Sequence, residues 1–234
     1  MHRIAFIAET AERGARPDGR ATLAQLDPRR TAHLVVDLQR GFMAPGAPVE
    51  VPEARHIVAN VNRISAALRA AGGVNVFLRM NLATDATARW RDYVDHLGAR
   101  SDRDLVIAAF SPGAPEFDLW DDLEVTGDDL VVDKCRFSAF IPGASRLHDE
   151  LSGRGIDNLF FTCTLTNVCC ESTARDAMQM DYRVRFVADA TAALSDQTHN
   201  ATLANIDGHF GRVVLTDDVV GALAPAAAAG ARSA

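Results

Sequence analysis

Short apolar runs rich in β-branched and aromatic residues alternate with stretches of helical periodicity along most of the chain. The β-rich runs cover residues 33–36, 74–78, 130–132, 159–161, 184–187 and 212–215. Helical patterns lie between several of them, at residues 53–71, 143–153, 167–181 and 197–208. Strands that alternate with helices form βαβ units. The pattern therefore predicts an α/β fold: a three-layer, doubly wound sheet of about six mostly parallel strands with helices on both faces.

One domain accounts for this pattern. A chain of 234 residues with 48% hydrophobic content can bury a substantial core. We expect an N-terminal arm at residues 1–30, the α/β domain at 31–221, and a frayed Ala-rich C-terminal tail at 222–234. The long connection 80–129 either forms a helix and loops that cover a site, or is simply a long crossover.

Charge and hydropathy exclude two classes of function. The chain has 24 basic and 31 acidic residues without long blocks of either sign, which argues against a nucleic-acid surface and leaves small-molecule partners open. No apolar run approaches the roughly 18 residues of a membrane span. The first residues contain an apolar run too short for a signal peptide, so a cytoplasmic location is the default.

The four cysteines, at positions 135, 163, 169 and 170, show neither zinc-ligand spacing nor a disulfide framework. Cys169 and Cys170 are neighbours and would bridge only through a strained ring. We therefore expect all four to be reduced thiols.

Reactive side chains follow three of the predicted strands. The first strand runs into Asp37, the third into Asp133 and Lys134, and the fourth into the turn that contains Cys169 and Cys170. In an open parallel sheet, ligands bind beyond the carboxyl ends of the strands. A carboxylate, an ammonium and a thiol are thus predicted to converge on one edge.

Each group alone has an ordinary interpretation: a helix cap, a solvated charge and a small core residue. Together they suggest a catalytic triad. A helix amino terminus and an ammonium both favour thiolate over thiol, so the thiol is expected to react well below its free pKa of about 8.5. A carboxylate can take the thiol proton and return it to a leaving amine. No histidine lies at these strand ends; we interpret His33, His56 and His148 as structural.

Three segments, VVDLQRGF, DKCRFSAF and TLTNVCCESTARDA, resemble the signature segments of the isochorismatase-like cysteine hydrolase superfamily. The resemblance runs from about residue 30 to 218 and includes features of the ureidoacrylate and N-carbamoylsarcosine amidohydrolases. It implies that Asp37 is the base, Lys134 the catalytic lysine and Cys169 the nucleophile. Cys170 fills a position that is usually apolar, so it is expected to pack.

The resemblance also implies a cis peptide between Thr164 and Leu165, and an oxyanion hole formed by the backbone amides of Leu165 and Cys169. Two departures stand out. Cys163 replaces a usual Gly, which affects the backbone entering the turn. The Asp-x-His pair of metal-dependent nicotinamidases is missing from the region that contains His96, so we expect an enzyme without metal or other cofactor.

The function implied by the resemblance is hydrolysis of a C–N bond in a small linear amide or ureide through a thioester acyl-enzyme. The resemblance also implies a homo-oligomer, a dimer or a tetramer. The sequence does not identify the acyl group of the substrate. Candidate substrate-binding residues are Gln39, Phe42, Asn81, Trp90, Arg136 and Phe137. Arg136 would pair either with a substrate carboxylate, with Asp133 or with a neighbouring chain.

Two other functions stay open on the same fold. Isochorismatase-type hydrolysis of a vinyl ether is one, although Cys169 counts against it. The other is a non-catalytic role, as a sensor of oxidants through vicinal thiols or as a binding protein.

Overall fold

The computed structural model describes residues 1–5, 23, 26–83, 90–100 and 102–230, with the backbone alone at 98–100 and 225–230. Most of the predicted N-terminal arm therefore lies outside the described residues. Its first residues pack on the domain: the amino group of Met1 lies 2.7 Å from Glu53, and the ring of His2 stacks on His199 at 4.5 Å.

A six-stranded sheet, all of whose neighbouring strands are parallel, forms the centre of the described part of the chain. Its strands are β1 (Thr31–Val36), β2 (Val74–Met80), β3 (Leu130–Lys134), β4 (Asn158–Thr164), β5 (Arg183–Ala192) and β6 (Arg212–Val214). Their spatial order is β3-β2-β1-β4-β5-β6. The predicted doubly wound α/β fold is confirmed.

Helices connect these strands. The described α-helices are α1 (Arg40–Met43), α2 (Val58–Ala70), α3 (Arg91–Arg100), α4 (Arg103–Ala109), α5 (Leu147–Ser152), α6 (Glu171–Gln179), α7 (Asp196–Asn205) and α8 (Thr216–Gly230). Shorter helical turns cover Pro28–Arg30, Pro52–Ile57, Pro115–Phe117, Thr166–Cys170 and Ile206–Phe210. The last two are π-helical, directly before α6 and directly after α7.

The direction of the crossovers separates the helices into two layers. The chain moves one way from β1 to β2 and the opposite way from β4 to β5, and right-handed crossovers then put α2 and α6 on opposite faces. Helix α8 packs against α2 and so belongs to the α2 layer. The strand order reverses between β1 and β4, and this switch point is where doubly wound sheets leave a ligand crevice.

Apolar spacing explains how α2 forms and where it ends. Its buried residues Val61, Ile64 and Leu68 recur at intervals of three or four, the period of one helix face. Gly72 follows with φ at +84°, a left-handed conformation that suits glycine and stops the helix. The chain then continues directly into β2, the neighbour of β1 in the sheet.

The predicted start of the C-terminal tail is wrong. Helix α8 runs through residue 222 to Gly230, and Leu223 is fully buried. Packing of this helix on α2 stabilises a segment whose alanine-rich composition suggested fraying. Residues 231–234 lie outside the described part.

Candidate active site

Asp37 and Lys134 form a buried ion pair at the carboxyl edge of the sheet. Lys134 Nζ lies 2.8 Å from Asp37 Oδ2, and both side chains are fully inaccessible to solvent. Asp37 follows β1 with φ at +58°, a conformation that Asp adopts more readily than most residues. Its backbone N–H donates to Leu78 O at 3.0 Å, which fixes the turn against β2. Lys134 reaches across from β3, where it is in register with Met80 of β2.

Cys169 lies beside this pair in the turn between β4 and α6. The turn, Thr166–Cys170, is π-helical, and the Cys169 thiol is within hydrogen-bonding reach of both Asp37 and Lys134. Thr173 of α6 donates its hydroxyl to Cys169 O at 2.6 Å. The peptide between Thr164 and Leu165 is cis, as the resemblance implied. The three predicted reactive side chains are therefore brought together.

Burial and mutual charge set the protonation of this cluster. Burial raises the pKa of Asp37, against the opposing effect of Lys134. Burial also acts to lower the pKa of Lys134, but its electrostatic and hydrogen-bonding interactions with Asp37 and Cys169 outweigh this effect and leave that pKa raised. Lys134 consequently keeps its proton, and one negative charge balances the site.

That negative charge lies on Asp37, because the Cys169 thiol is the weaker acid. Burial, followed by the charge of Asp37, raises the pKa of the Cys169 thiol, and Lys134 only partly opposes this effect. The expected low thiol pKa is therefore wrong for the resting protein. The sequence did not reveal that the thiol and the carboxylate would share one cation in a buried site.

A cavity of about 710 Å³ opens onto Cys169. Residues of α3 and α4 contribute part of its wall, among them Tyr93, Leu97 and Val106. The described segments 90–100 and 102–110 thus cover the site, which is the first of the two interpretations of the long connection. The segment 84–89 lies outside the described residues.

Three of the six candidate substrate-binding residues line this cavity: Phe42, Trp90 and Phe137. Their rings form part of an aromatic wall in which Trp90 and Phe137 lie edge to face at 4.8 Å. Contact of these side chains with substrate stays a prediction.

The other three candidates do not line this cavity. The buried amide of Gln39 donates to Met80 O at 3.1 Å and Phe117 O at 2.9 Å and accepts from Met80 N, so it fastens the turn after β1 to two neighbouring segments. The side chain of Asn81 donates to Asp133 and accepts from the N–H of Ala83.

Arg136, the third of them, borders a second cavity of about 630 Å³ instead. Its guanidinium lies over the ring of Trp90 at 4.9 Å and donates to Cys135 O at 2.7 Å. Asp133 is paired with Arg79 at 2.8 Å. The considered salt bridge between Arg136 and Asp133 is therefore absent among the described contacts.

The expectation of four reduced thiols is wrong. Cys163 and Cys170 form a disulfide with Cα atoms 5.9 Å apart, which leaves Cys135 and Cys169 as free cysteines. Cys163 lies near the end of β4 and Cys170 directly before α6, so the strand-to-helix turn closes on itself. Cys170 is buried as expected but is covalently bound rather than simply packed. Disulfides are uncommon in the cytosol, which weakens the basis of the cytoplasmic prediction.

Sequence reasoning missed Tyr93, whose ring stacks on Trp90 at 4.0 Å. Burial raises the pKa of Tyr93 to about 12, and the charges of Cys169 and Asp37 add to this effect. A signal was present: Trp90, Tyr93 and Leu97 recur at intervals of three and four, the spacing of one helix face. All three line the cavity.

His199 was also missed, because no local pattern connects it to the cysteine turn. Its Nδ1 is 3.1 Å from Oγ1 of Thr166, a residue of that turn, and its ring is stacked on the ring of His2. Burial, reinforced by the proximity of His2, lowers the pKa of His199 to about 4. Neutral at pH 7, His199 fastens α7 to the turn that carries Cys169.

This fold has counterparts among known proteins. The Isochorismatase domain model matches residues 31–218, and the chain belongs to the isochorismatase family. It is thus an isochorismatase-family hydrolase.

Individual relatives cover most of its length. A ureidoacrylate amidohydrolase, RutB, of Variovorax paradoxus is 32% identical over 85% of this chain and 83% of its own. The crystal structure of a cysteine hydrolase from Pseudomonas syringae pv. phaseolicola has a TM-score of 0.76 and 28% identity, and covers 86% of this chain and 95% of its own. N-carbamoylsarcosine amidase from Thermoplasma acidophilum, at 22% identity, a TM-score of 0.63, and 80% and 97% coverage, shares the fold.

Among the described residues, no helix is both long and apolar enough to cross a membrane. The same part of the chain contains no group of three or more His, Cys, Asp or Glu side chains arranged to hold a metal ion. The expectation of a metal-free enzyme depends on the sequence argument and stays a prediction.

Proposed function

We propose that the protein hydrolyses a C–N bond of a small linear amide or ureide through a covalent acyl-enzyme on Cys169. The observation that carries this proposal is the buried Asp37–Lys134 pair beside a free thiol in the wall of a cavity. The amidohydrolase relatives support the choice of a C–N bond.

In the first half-reaction, Asp37 takes the proton of the Cys169 thiol as the sulfur attacks the carbonyl carbon. The raised pKa of the buried Asp37 carboxyl suits it to this role as a base. The carbonyl oxygen becomes an oxyanion, which the amides of Leu165 and Cys169 stabilise. Asp37 then gives its proton to the leaving nitrogen, the C–N bond breaks, and ammonia or an amine departs from the acyl-enzyme.

In the second half-reaction, a water molecule gives a proton to Asp37 and attacks the thioester carbon. Collapse of this intermediate breaks the C–S bond, and the proton on Asp37 returns to the sulfur. The products are the free acid and the resting thiol. Lys134 stays protonated throughout and balances one negative charge, whether that charge lies on Asp37 or on sulfur.

The arrangement of the cysteines argues against an oxidant sensor built on vicinal thiols. Cys170 is bonded to Cys163, whereas Cys169 lies with the ion pair and opens into the cavity. A thiol in that environment is suited to attack a bound carbonyl group.

Ammonia release from a panel of linear amides, carbamoyl amino acids and ureides, followed by mass spectrometry of rapidly quenched enzyme, tests this function. We expect an acyl adduct on the peptide that contains Cys169. Cys169→Ala should abolish both turnover and adduct, whereas Cys135→Ala, at the other free cysteine, should preserve both. Turnover by folded Cys169→Ala would overturn the proposal.

A further inference from the structure

The cavity beside Cys169 is apolar on most of its surface. Its described lining includes Phe42, Met80, Leu82, Val106, Phe110 and Val168. All of these except Val168 are buried in the hydrophobic core of the protein, and Val168 packs against it. A volume of about 710 Å³ is ordinary for a small-molecule site, so an acyl group of several carbons fits.

No lysine or arginine is present in the described lining of this cavity. Lys134 is fully buried behind it and is engaged by Asp37 and by Arg136 O at 3.1 Å. Arg136 borders the second cavity, and the aromatic rings of Trp90 and Phe137 border both. Lys134 and Arg136 therefore both contact other groups of the protein.

The carboxylate in the described lining belongs to Asp92, on the exposed side of α3 one residue before Tyr93. A negative charge at this position repels an anionic ligand. His96, one helical turn along α3, is also in the lining. The Asp37–Lys134 pair contributes no net charge when both groups are ionised, so Asp92 gives the cavity its charge bias.

We propose that the substrate carries an uncharged, apolar acyl group, and that the site discriminates against amides and ureides that bear a carboxylate. This inference rests on the proposed function, since it assigns the substrate class of the same Cys169 site. A carboxylate that enters this apolar cavity loses its hydration and meets no lysine or arginine in the described lining, whereas an alkyl or aryl group gains from burial. The substrate would thus differ in charge from the acrylate named in the RutB relatives.

Matched substrates test this choice. Hexanamide and adipic acid monoamide have the same acyl chain length, and one carries a terminal methyl where the other carries a carboxylate. N-propylurea and 3-ureidopropionate form the corresponding ureide pair. We expect kcat/KM to be at least about 100-fold higher for the uncharged member. One misplaced methylene already changes specificity by about 10- to 200-fold, and an unpaired charge is a larger mismatch.

Asp92→Asn provides a second readout. Removing the Asp92 charge should raise the ratio of kcat/KM for the carboxylate-bearing member to kcat/KM for the uncharged member about two- to fivefold, the size expected for an exposed charge. Asp95→Asn makes the same chemical change at an exposed position of the same helix, outside the cavity lining. It should leave the kcat/KM ratio of the two substrates unchanged. High salt should reduce the Asp92 effect.

The outcomes separate this inference from the proposed function. A preference for the carboxylate-bearing members, or for a cationic isostere such as 6-aminohexanamide, overturns the inference while Cys169-dependent hydrolysis stands. Absence of any Cys169 adduct with every pair overturns the proposed function itself.

Discussion

Lys134 Nζ lies 2.8 Å from Asp37 Oδ2 with both side chains fully buried, although the two residues are 97 positions apart in the sequence. Removing either partner leaves an uncompensated charge in the interior, which costs about 3–5 kcal/mol. The pair therefore links catalysis to stability, and the two effects have to be measured together.

Asp37→Asn should slow acylation by about 100-fold or more, because the amide keeps the size of the carboxylate but accepts no proton. Lys134→Met should raise the pKa of the Cys169 thiol further and slow its alkylation by iodoacetamide near pH 7. Steady-state kinetics and thermal unfolding of the same preparations measure both effects. Full turnover in folded Asp37→Asn protein would rule out the mechanism.

The double variant Asp37→Asn, Lys134→Met distinguishes a catalytic unit from two independent structural residues. Its activity should be scarcely lower than that of the poorer single variant, because groups that act as one unit lose activity non-additively. Its loss of unfolding free energy should be smaller than the sum of the two single-variant losses, since no unpaired charge remains. Additive losses of activity that merely follow the folded fraction would contradict this prediction.

Adjacent cysteines are predicted to have different roles. Cys169→Ala should leave the fold intact and abolish turnover. Cys170→Val should keep most of the activity but lower the free energy of unfolding by about 2–3 kcal/mol, because it removes a disulfide that closes a short loop. Denaturant titration and ammonia release measure the two effects. An inactive Cys170→Val beside an active Cys169→Ala would reverse the assignment.

Buried His33 is predicted to make stability fall in acid. Its ring hydrogen-bonds with Ser65 and Thr162, and burial lowers its pKa to about 3. The unfolded chain takes up this proton below about pH 6.5 and the folded one only near pH 3, so stability is lost as pH falls through that window.

At pH 4 the His33 contribution amounts to about 3 kcal/mol relative to pH 7. Unfolding free energies of His33→Gln should therefore fall less steeply with acid than those of the wild type. His209→Gln, at an exposed histidine, serves as the matched control and should keep the wild-type slope. Equal slopes in all three proteins would show that His33 does not titrate between the two states.

A homo-oligomer, dimer or tetramer, stays a prediction of the family resemblance. Sedimentation velocity at micromolar concentration should show a species of at least twice the 25.2 kDa chain mass. Only a species near 25 kDa would contradict it.

Alternation of strand-like and helix-like segments was sufficient to predict the fold. Strand β1 is buried at every position, and its apolar run is visible without any structure. Right-handed crossovers then leave few ways to arrange such units. Because Asp37 and Lys134 lie at the ends of their strands, the sequence also predicted that they meet.

The cavity and the cysteine pairing were decided by tertiary contacts. The position of Gln39 after β1 suggested contact with substrate, but its side-chain amide donates hydrogen bonds to the backbone carbonyls of Met80 and Phe117 instead. Cys163 and Cys170 are seven positions apart, and only the path from β4 through the π-helical turn brings their Cα atoms within 5.9 Å.

The sequence by itself thus determined the order of strands and helices and the reactive groups at the strand ends, since both follow from periodicities of a few residues. Only the tertiary structure decided that Cys169 has a raised thiol pKa, that Tyr93 lines the same apolar cavity, and that Arg136 borders a different one. These properties depend on burial and on charges contributed by residues far apart in the chain, and local patterns do not encode either quantity.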